Sequence, residues 1–249
     1  MGPAGTISRI PVRRGALESP LRRLRNFARL GAADEAAVRV LDMTRVGYAA
    51  SDAISLPQRR TLLVASGWAC TMRELPDRRR QIFCLILPGD VVGDGPGGHV
   101  CQSQTVVAVT PVQVVDATSL MQTDEEGRPQ FPTIREAAMA ARATLDSYLY
   151  DHIVRLGVST AYERVGHLFA EVFDRLAAVG MTNGDQFLMP FTQEGLGEIL
   201  GLSETHVNRT LRQLRQDGLL AMGPGWFALP DRARLHRDVC YRAPGLSPT

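Results

Sequence analysis

Residues 191–220, FTQEGLGEILGLSETHVNRTLRQLRQDGLL, constrain this chain more than any other stretch. Thr192 stands where it can cap a short helix carrying Leu196, Ile199 and Leu200. Gly201 then supplies a tight turn, and Ser203 caps a second helix whose Val207, Leu211 and Leu214 share one apolar seam. Glu204, Thr205, Asn208, Arg209 and Arg212 occupy the opposite face. Two helices joined by a short Gly turn make a helix-turn-helix, with short polar groups and arginines where a recognition helix meets base edges. The Ser203 hydroxyl and the first amides of that helix can meet a phosphate. An ordinary αα-hairpin with a solvated polar face would share the amphipathic pattern. The next residues separate the two: DGLLAMGPGWFALPD sets two short apolar runs around Gly-Pro-Gly, a β-hairpin appended to the helices as a wing. Residues 203–242 hold seven arginines against four acids, so this end is locally basic.

Charge and cysteine usage narrow the classes further. The 249 residues carry 28 basic and 26 acidic side chains, a formal charge of +2, which excludes a polycation that coats nucleic acid indiscriminately. All the basic residues are arginine, whose planar fork suits phosphate and guanine edges, although a GC-rich genome yields the same bias. Cys70, Cys84, Cys101 and Cys240 form no CxxC pair, so a zinc knuckle or thioredoxin-type dithiol is not expected. No run of 18 apolar residues spans a membrane, and no apolar signal core opens the chain. A cytoplasmic protein is expected. No acid/base pair, nucleophile constellation or metal cluster can be assembled, so an enzyme is not expected.

Upstream, residues 20–42 read as helical, with Pro20 at the start, Leu21, Leu24, Phe27, Ala28 and Leu30 at helical spacing, and Asp34 opening a second short helix. From about 44 to 118, the β-rich runs RTLLVASGWACTM, RQIFCLIL, QTVVAVT and VQVVDA alternate with turn residues, as in a small antiparallel sandwich or barrel. TDEEGRPQFP marks a boundary. Beyond it Ile134, Ala138, Ala141, Leu145, Tyr148 or Leu149, His152 and Leu156 recur in steps of three and four. That stripe suits a helix that pairs two copies of the chain; the alternative is a helix packed on its own β-domain, and a long helix can do both. Gly157 and Ser159 are expected to end it, with Ser159 capping a further helix that Gly180 terminates. The segment TNGDQFLMP reads as a loop.

With these motifs in view, the chain resembles transcription regulators of the Crp/Fnr superfamily over roughly residues 20–240. The most specific pieces are SGWACTMRELPDRRRQIFCLILPGDVVG in the β-region and the 191–220 segment. The resemblance implies an α+β fold: an N-terminal β jelly roll, a long dimerisation helix and a C-terminal winged helix-turn-helix. It divides the chain into an arm with short helices (1–43), the roll (44–130), the dimerisation helix (131–158, with Ile134, Ala138, Ala141, Leu145, Leu149, His152 and Leu156 at the seam) and the DNA-binding domain (159–249). It implies base contacts by Glu204, Thr205, Asn208 and Arg209, with Arg209 at the family's most constant base-reading arginine. Thr205 stands where the family often has Glu, so the operator is expected to depart from the common half-site. Thr192, Gln193, Ser203, His206 and Arg212 are the expected backbone contacts. Double-stranded DNA, a second copy of the chain and RNA polymerase, with an activator's role, are the implied partners.

No cofactor is expected. The stretch aligned with the family's cyclic AMP pocket, GDGPGGHVCQSQTVVAV, has no Glu, no Arg, and Gln104-Thr105 where the phosphate-binding pair would fall, so no cation meets a cyclic phosphate. No cysteine precedes residue 70, so the N-terminal iron–sulfur ligands of oxygen-sensing members are missing. Cys70 and Cys84 lie in apolar strand patterns and read as core. His99 and Cys101 are the residues that could ligate haem iron, and a haem- or thiol-based sensor whose output is not DNA binding is the alternative reading. Residues 46–67 lack the family's early Gly-Asp hairpin, so irregular first strands are expected. The effector is unknown or absent.

Overall fold

The computed structural model describes residues 17–54, 60–93 and 105–244. The glycine run 95–98, His99, Cys101, Gln104 and the first sixteen residues of the arm lie outside them. Two short helices, α1 (Glu18–Arg25) and α2 (Ala32–Val40), come first. Asp34 does not open α2; it sits in its first turn and accepts a hydrogen bond from the Gly31 amide at 2.9 Å.

The roll is two facing antiparallel sheets. One has the order β1 (Val46–Tyr48), β7 (Val112–Asp116), β2 (Thr61–Ser66), β5 (Val91–Gly93); the other has β4 (Arg80–Ile86), β3 (Ala69–Glu74), β6 (Thr105–Ala108). The apolar run 61–72 is broken into two strands at Gly67, which has a φ of +83° and lies so close to Pro111 that a Cβ there would fall 2.1 Å from its carbonyl oxygen. Trp68 resumes the chain by donating its amide to Thr110 Oγ1 at 2.9 Å. The alternation of β2 explains why it carries no polar face. Leu62 and Val64 point between the sheets with Val92, Val106, Val112 and Val114. Leu63 and Ala65 point outward and are covered by helices together with Val91 and Val115. A strand buried on both faces reads as a continuous apolar run.

The long helix α3 (Pro132–Val158) begins with Pro132 at its first turn, where the missing N–H costs nothing. It runs through Gly157 to Val158, and Ser159 is its C-terminal cap, so the break expected at Gly157 does not occur. The cap of α4 (Ala161–Ala178) is Thr160 rather than Ser159: Thr160 Oγ1 accepts from the Glu163 amide while the Glu163 carboxylate accepts from the Thr160 amide, a capping box. Ile134, Ala138 and Ala141 lie in the cluster formed with α1, Leu63 and Val115. Leu145 and His152 are also buried within the subunit, and Leu149 and Leu156 are half-buried. The stripe expected at a subunit seam is therefore the inward face of α3. At 100° per residue the opposite side carries Met139, Tyr150, Ile153, Val154 and Val158, all exposed; Tyr150 is 68% and Val158 81% exposed.

The C-terminal part adds α5 (Gln193–Leu200), α6 (Glu204–Gln216), β9 (Ala221–Gly223), β10 (Trp226–Ala228) and α7 (Arg232–Asp238). The segment read as a loop contains a strand, β8 (Gln186–Leu188), which pairs with β10 and makes the wing three-stranded, Phe187 opposite Phe227. Phe169 packs edge to face on both Phe187 and Phe227, with centroids 6.1 and 4.8 Å away, seating the wing on α4. No helix among the described residues is long and apolar enough to cross a membrane.

Candidate nucleic-acid interface

The helix-turn-helix is built by caps, one close approach and a shared core. Thr192 Oγ1 accepts from the Gly195 amide at 3.1 Å, and Ser203 Oγ from the His206 amide at 3.3 Å, so both helices start on the residues expected. Gly201 adopts φ +63°, which glycine alone takes without strain. Gly197 lets the turn fold back: a Cβ there would sit 2.5 Å from the Leu202 carbonyl oxygen. Val207, Leu211 and Leu214 interlock with Leu196, Ile199 and Leu200 and with Val165, Leu168, Phe169 and Val172 of α4. Burying such side chains is worth about 1.5–3 kcal/mol each, which holds α6 rigidly by one face.

The other face is free. Glu204, Thr205, Asn208, Arg209 and Arg212 are all exposed on α6, as are Thr192, Ser203 and His206 at the two helix starts; Gln193 is half-buried. Among the described residues Arg209 and Arg212 form no ion pair. His206 Nδ1 lies 3.0 Å from Ser203 Oγ. Thus α6 is capped at its start by Ser203 and presents an exposed, arginine-bearing face opposite its buried seam, as a helix that enters a major groove does.

Contacts absent from the sequence reading fix this head to the rest of the chain. Tyr162 donates to Asp217 Oδ2 at 2.9 Å, pinning the end of α6 to α4. Arg164 ties the Ser159 carbonyl to that of Leu200. The β3–β4 hairpin reaches α5: Arg80 pairs with Glu198, and Gln81 Nε2 donates to the carbonyls of Glu198 and Ile199. Cys70 and Cys84 belong to the strands behind this contact, and burial pushes both thiols up to about 12. They are neutral thiols at neutral pH.

The comparisons with known proteins agree with this geometry. Residues 163–238 match the Crp-like helix-turn-helix domain family. The nitrogen fixation regulation protein FixK of Bradyrhizobium diazoefficiens is 33% identical over 162 residues, 65% of this chain and 66% of that protein. The transcriptional activatory protein AadR of Rhodopseudomonas palustris is 31% identical over 170 residues, 68% of each. The chain belongs to the Crp/Fnr superfamily. The solved structure of FixK2 from Bradyrhizobium japonicum superimposes with a TM-score of 0.64 at 26% identity, covering 81% of this chain and 98% of that one. The protein is thus a DNA-binding transcription regulator with the β-domain, long helix and C-terminal helix-turn-helix of that family. These findings do not favour a sensor module whose output lies elsewhere, and the relatives are transcription regulators rather than enzymes.

Proposed function

We propose that this Crp/Fnr regulator works in the cytoplasm as a homodimer that reads a pseudo-palindromic operator with two α6 helices about one DNA turn, roughly 34 Å, apart. The observation that carries this reading is the exposed face of α6, on which Glu204, Thr205, Asn208 and Arg209 follow the Ser203 cap and stand opposite the buried Val207, Leu211 and Leu214. Arg209 pairs with guanine O6 and N7, Asn208 suits adenine, and Glu204 accepts from cytosine N4. Thr192, Gln193, Ser203, His206 and Arg212 meet the phosphates. The second copy docks on the outer face of α3, where Met139, Tyr150, Ile153, Val154 and Val158 leave apolar surface in water. This moves the seam from the inward stripe to its opposite side.

Activation through contact with RNA polymerase follows from the activator relatives. The regulator needs neither cyclic nucleotide nor iron–sulfur cluster, and neither haem nor a resident metal, for this reading of DNA. Genome-wide mapping of binding sites for the wild type and for Arg209→Ala tests the proposal. Palindromic sites lost in the variant support it; unchanged occupancy at the same sites overturns it.

A further inference from the structure

Beneath the DNA head, five buried charges form an alternating chain. Arg23 of α1 pairs with Asp90 at 3.1 Å; Asp90 pairs with Arg175 of α4 at 2.7 Å. Arg175 pairs with Glu171 at 3.1 Å, and Glu171 with Arg155 of α3 at 2.6 Å. None of the five side chains is more than 7% exposed. Asp90 further accepts from the Leu87 amide, and Arg175 donates to the Leu85 carbonyl and lies 4.8 Å from the Tyr148 ring centre. Every carboxylate oxygen has a guanidinium partner, yet the chain begins and ends on a cation. Within these ion pairs three arginines face two carboxylates, +3 and −2, so the chain itself carries one buried positive charge in excess.

That excess is exposed to a cavity at one end. Arg155 uses only Nη2 on Glu171; its Nε and Nη1 have no hydrogen-bond partner among the described residues. Arg155 lines a cavity of about 10 Å³ together with His152, Tyr148, Glu171, Cys84 and Ile199. His152 Nε2, also buried, has no partner either. A buried charge and three buried polar atoms are costly to leave unpaired. Two further ionisable groups lie near Arg155, and neither pairs with it directly among the described residues. Cys84 stays a neutral thiol, since burial pushes it up to about 12. Asp151, one turn before Arg155, makes no ion pair with it among the described residues; burial and Glu171 push its carboxyl up while the Arg155 charge opposes them, so it acts on Arg155 only at a distance.

We propose that this cavity binds one small monovalent anion of halide size, held by Arg155 Nε and Nη1 with His152 beside it. The space suits one water-sized occupant and excludes nucleotides and carboxylic metabolites. Its walls come from β4, α3, α4 and α5, so the anion joins the roll, the long helix and the DNA head, and its binding stabilises this packing of the four elements. The site is independent of the operator reading above and is tested without DNA.

The test melts the full-length protein in sodium chloride and in sodium gluconate at equal ionic strength, and locates bromide by anomalous scattering in crystals grown with bromide. A saturable rise of about 3–6 °C at tenfold saturation is expected in chloride. A bromide peak against Arg155 is also expected, and both effects vanish in Arg155→Met, whose remaining charges, +2 and −2, already balance. A water at this position with no bromide signal, or melting that ignores the halide, overturns the proposal. A bromide peak without a melting shift marks an adventitious ion only and overturns it too. Should Arg155→Met not fold, the wild-type diffraction and melting data decide alone.

Discussion

Arg80 and Glu198 meet at 2.7 Å across the boundary between the β-domain and the first helix of the DNA head. The pair is partly exposed, 42% and 19%, so water screens it and its own worth is small. Beside it Gln81 Nε2 donates to the Glu198 and Ile199 carbonyls at 2.8 and 3.2 Å, in the last turn of α5 where carbonyls run out of intrahelical donors, and to that of Ile82 at 3.0 Å. We therefore expect a double-mutant cycle on Arg80→Ala and Glu198→Ala to return a coupling of about 0.2–1 kcal/mol. Gln81→Ala is expected to cost more, about 1–3 kcal/mol, because it strands acceptors rather than removing a screened charge. Denaturant titration ranks the two, and the reverse order would show that charge holds the head in place.

The arginines of α6 separate base reading from phosphate contact. Arg209→Ala is expected to lose about 1–3 kcal/mol of specific binding and to relax preference at one base pair of each half-site. Arg212→Ala is expected to weaken operator and random DNA alike and to lower the salt slope by about one. Operator titrations across a salt series read both. Undiminished discrimination between operator and random DNA in Arg209→Ala would remove that residue from base reading.

The two faces of α3 make opposite predictions. Ile134→Ala opens a hole under α1 and is expected to cost about 2–5 kcal/mol of stability while leaving a dimer at high concentration. Ile153→Glu places a charge on the exposed face, so it is expected to leave the fold intact, yield monomers and lose tight operator binding. Sedimentation and thermal melting distinguish the two outcomes. A dimeric Ile153→Glu protein would place the seam elsewhere.

That contrast shows where the sequence was legible. The helix-turn-helix was readable because its determinants are local: Thr192, Gly201 and Ser203 each act within three or four residues of their partners. The order of roll, long helix and winged head came from equally local changes of period. The stripe from Ile134 to Leu156 was visible as well, but periodicity marks a buried face without saying what covers it. Here the cover is α1 and the β-domain, brought together by long-range packing. β8 escaped notice for the same reason, since three residues become a strand only when Phe187 meets Phe227. The arginine–carboxylate chain was least legible: Arg23, Asp90, Arg155, Glu171 and Arg175 look like solvated charges in sequence and are gathered only by the fold.

Histidines set the expected response to acid. Burial, reinforced by the Arg155 charge, pushes His152 down to about 4. Burial likewise pushes His167 down to about 4, with Arg155 and His236 adding to the shift and Glu171 opposing it. Unfolded, each titrates near its ordinary value of 6.5. As pH falls through 6.5 the unfolded chain takes up protons that the native protein refuses, so stability falls with pH until the native values are reached. Glu171 is held below the usual carboxylate range: burial works against its charge, but Arg155 and Arg175 prevail, so protonating it adds to the loss at the acid end. Asp151 and Asp174 are raised by burial and offset part of that loss at the acid end, so the histidines are read in the window that opens as pH falls through 6.5. We expect chemical denaturation to show stability flat above pH 7 and declining through this window with up to two protons bound on unfolding. His152→Gln should reduce that slope by one proton, and a wild-type profile flat from pH 7 to 5 would mean that both histidines are solvated in the native protein.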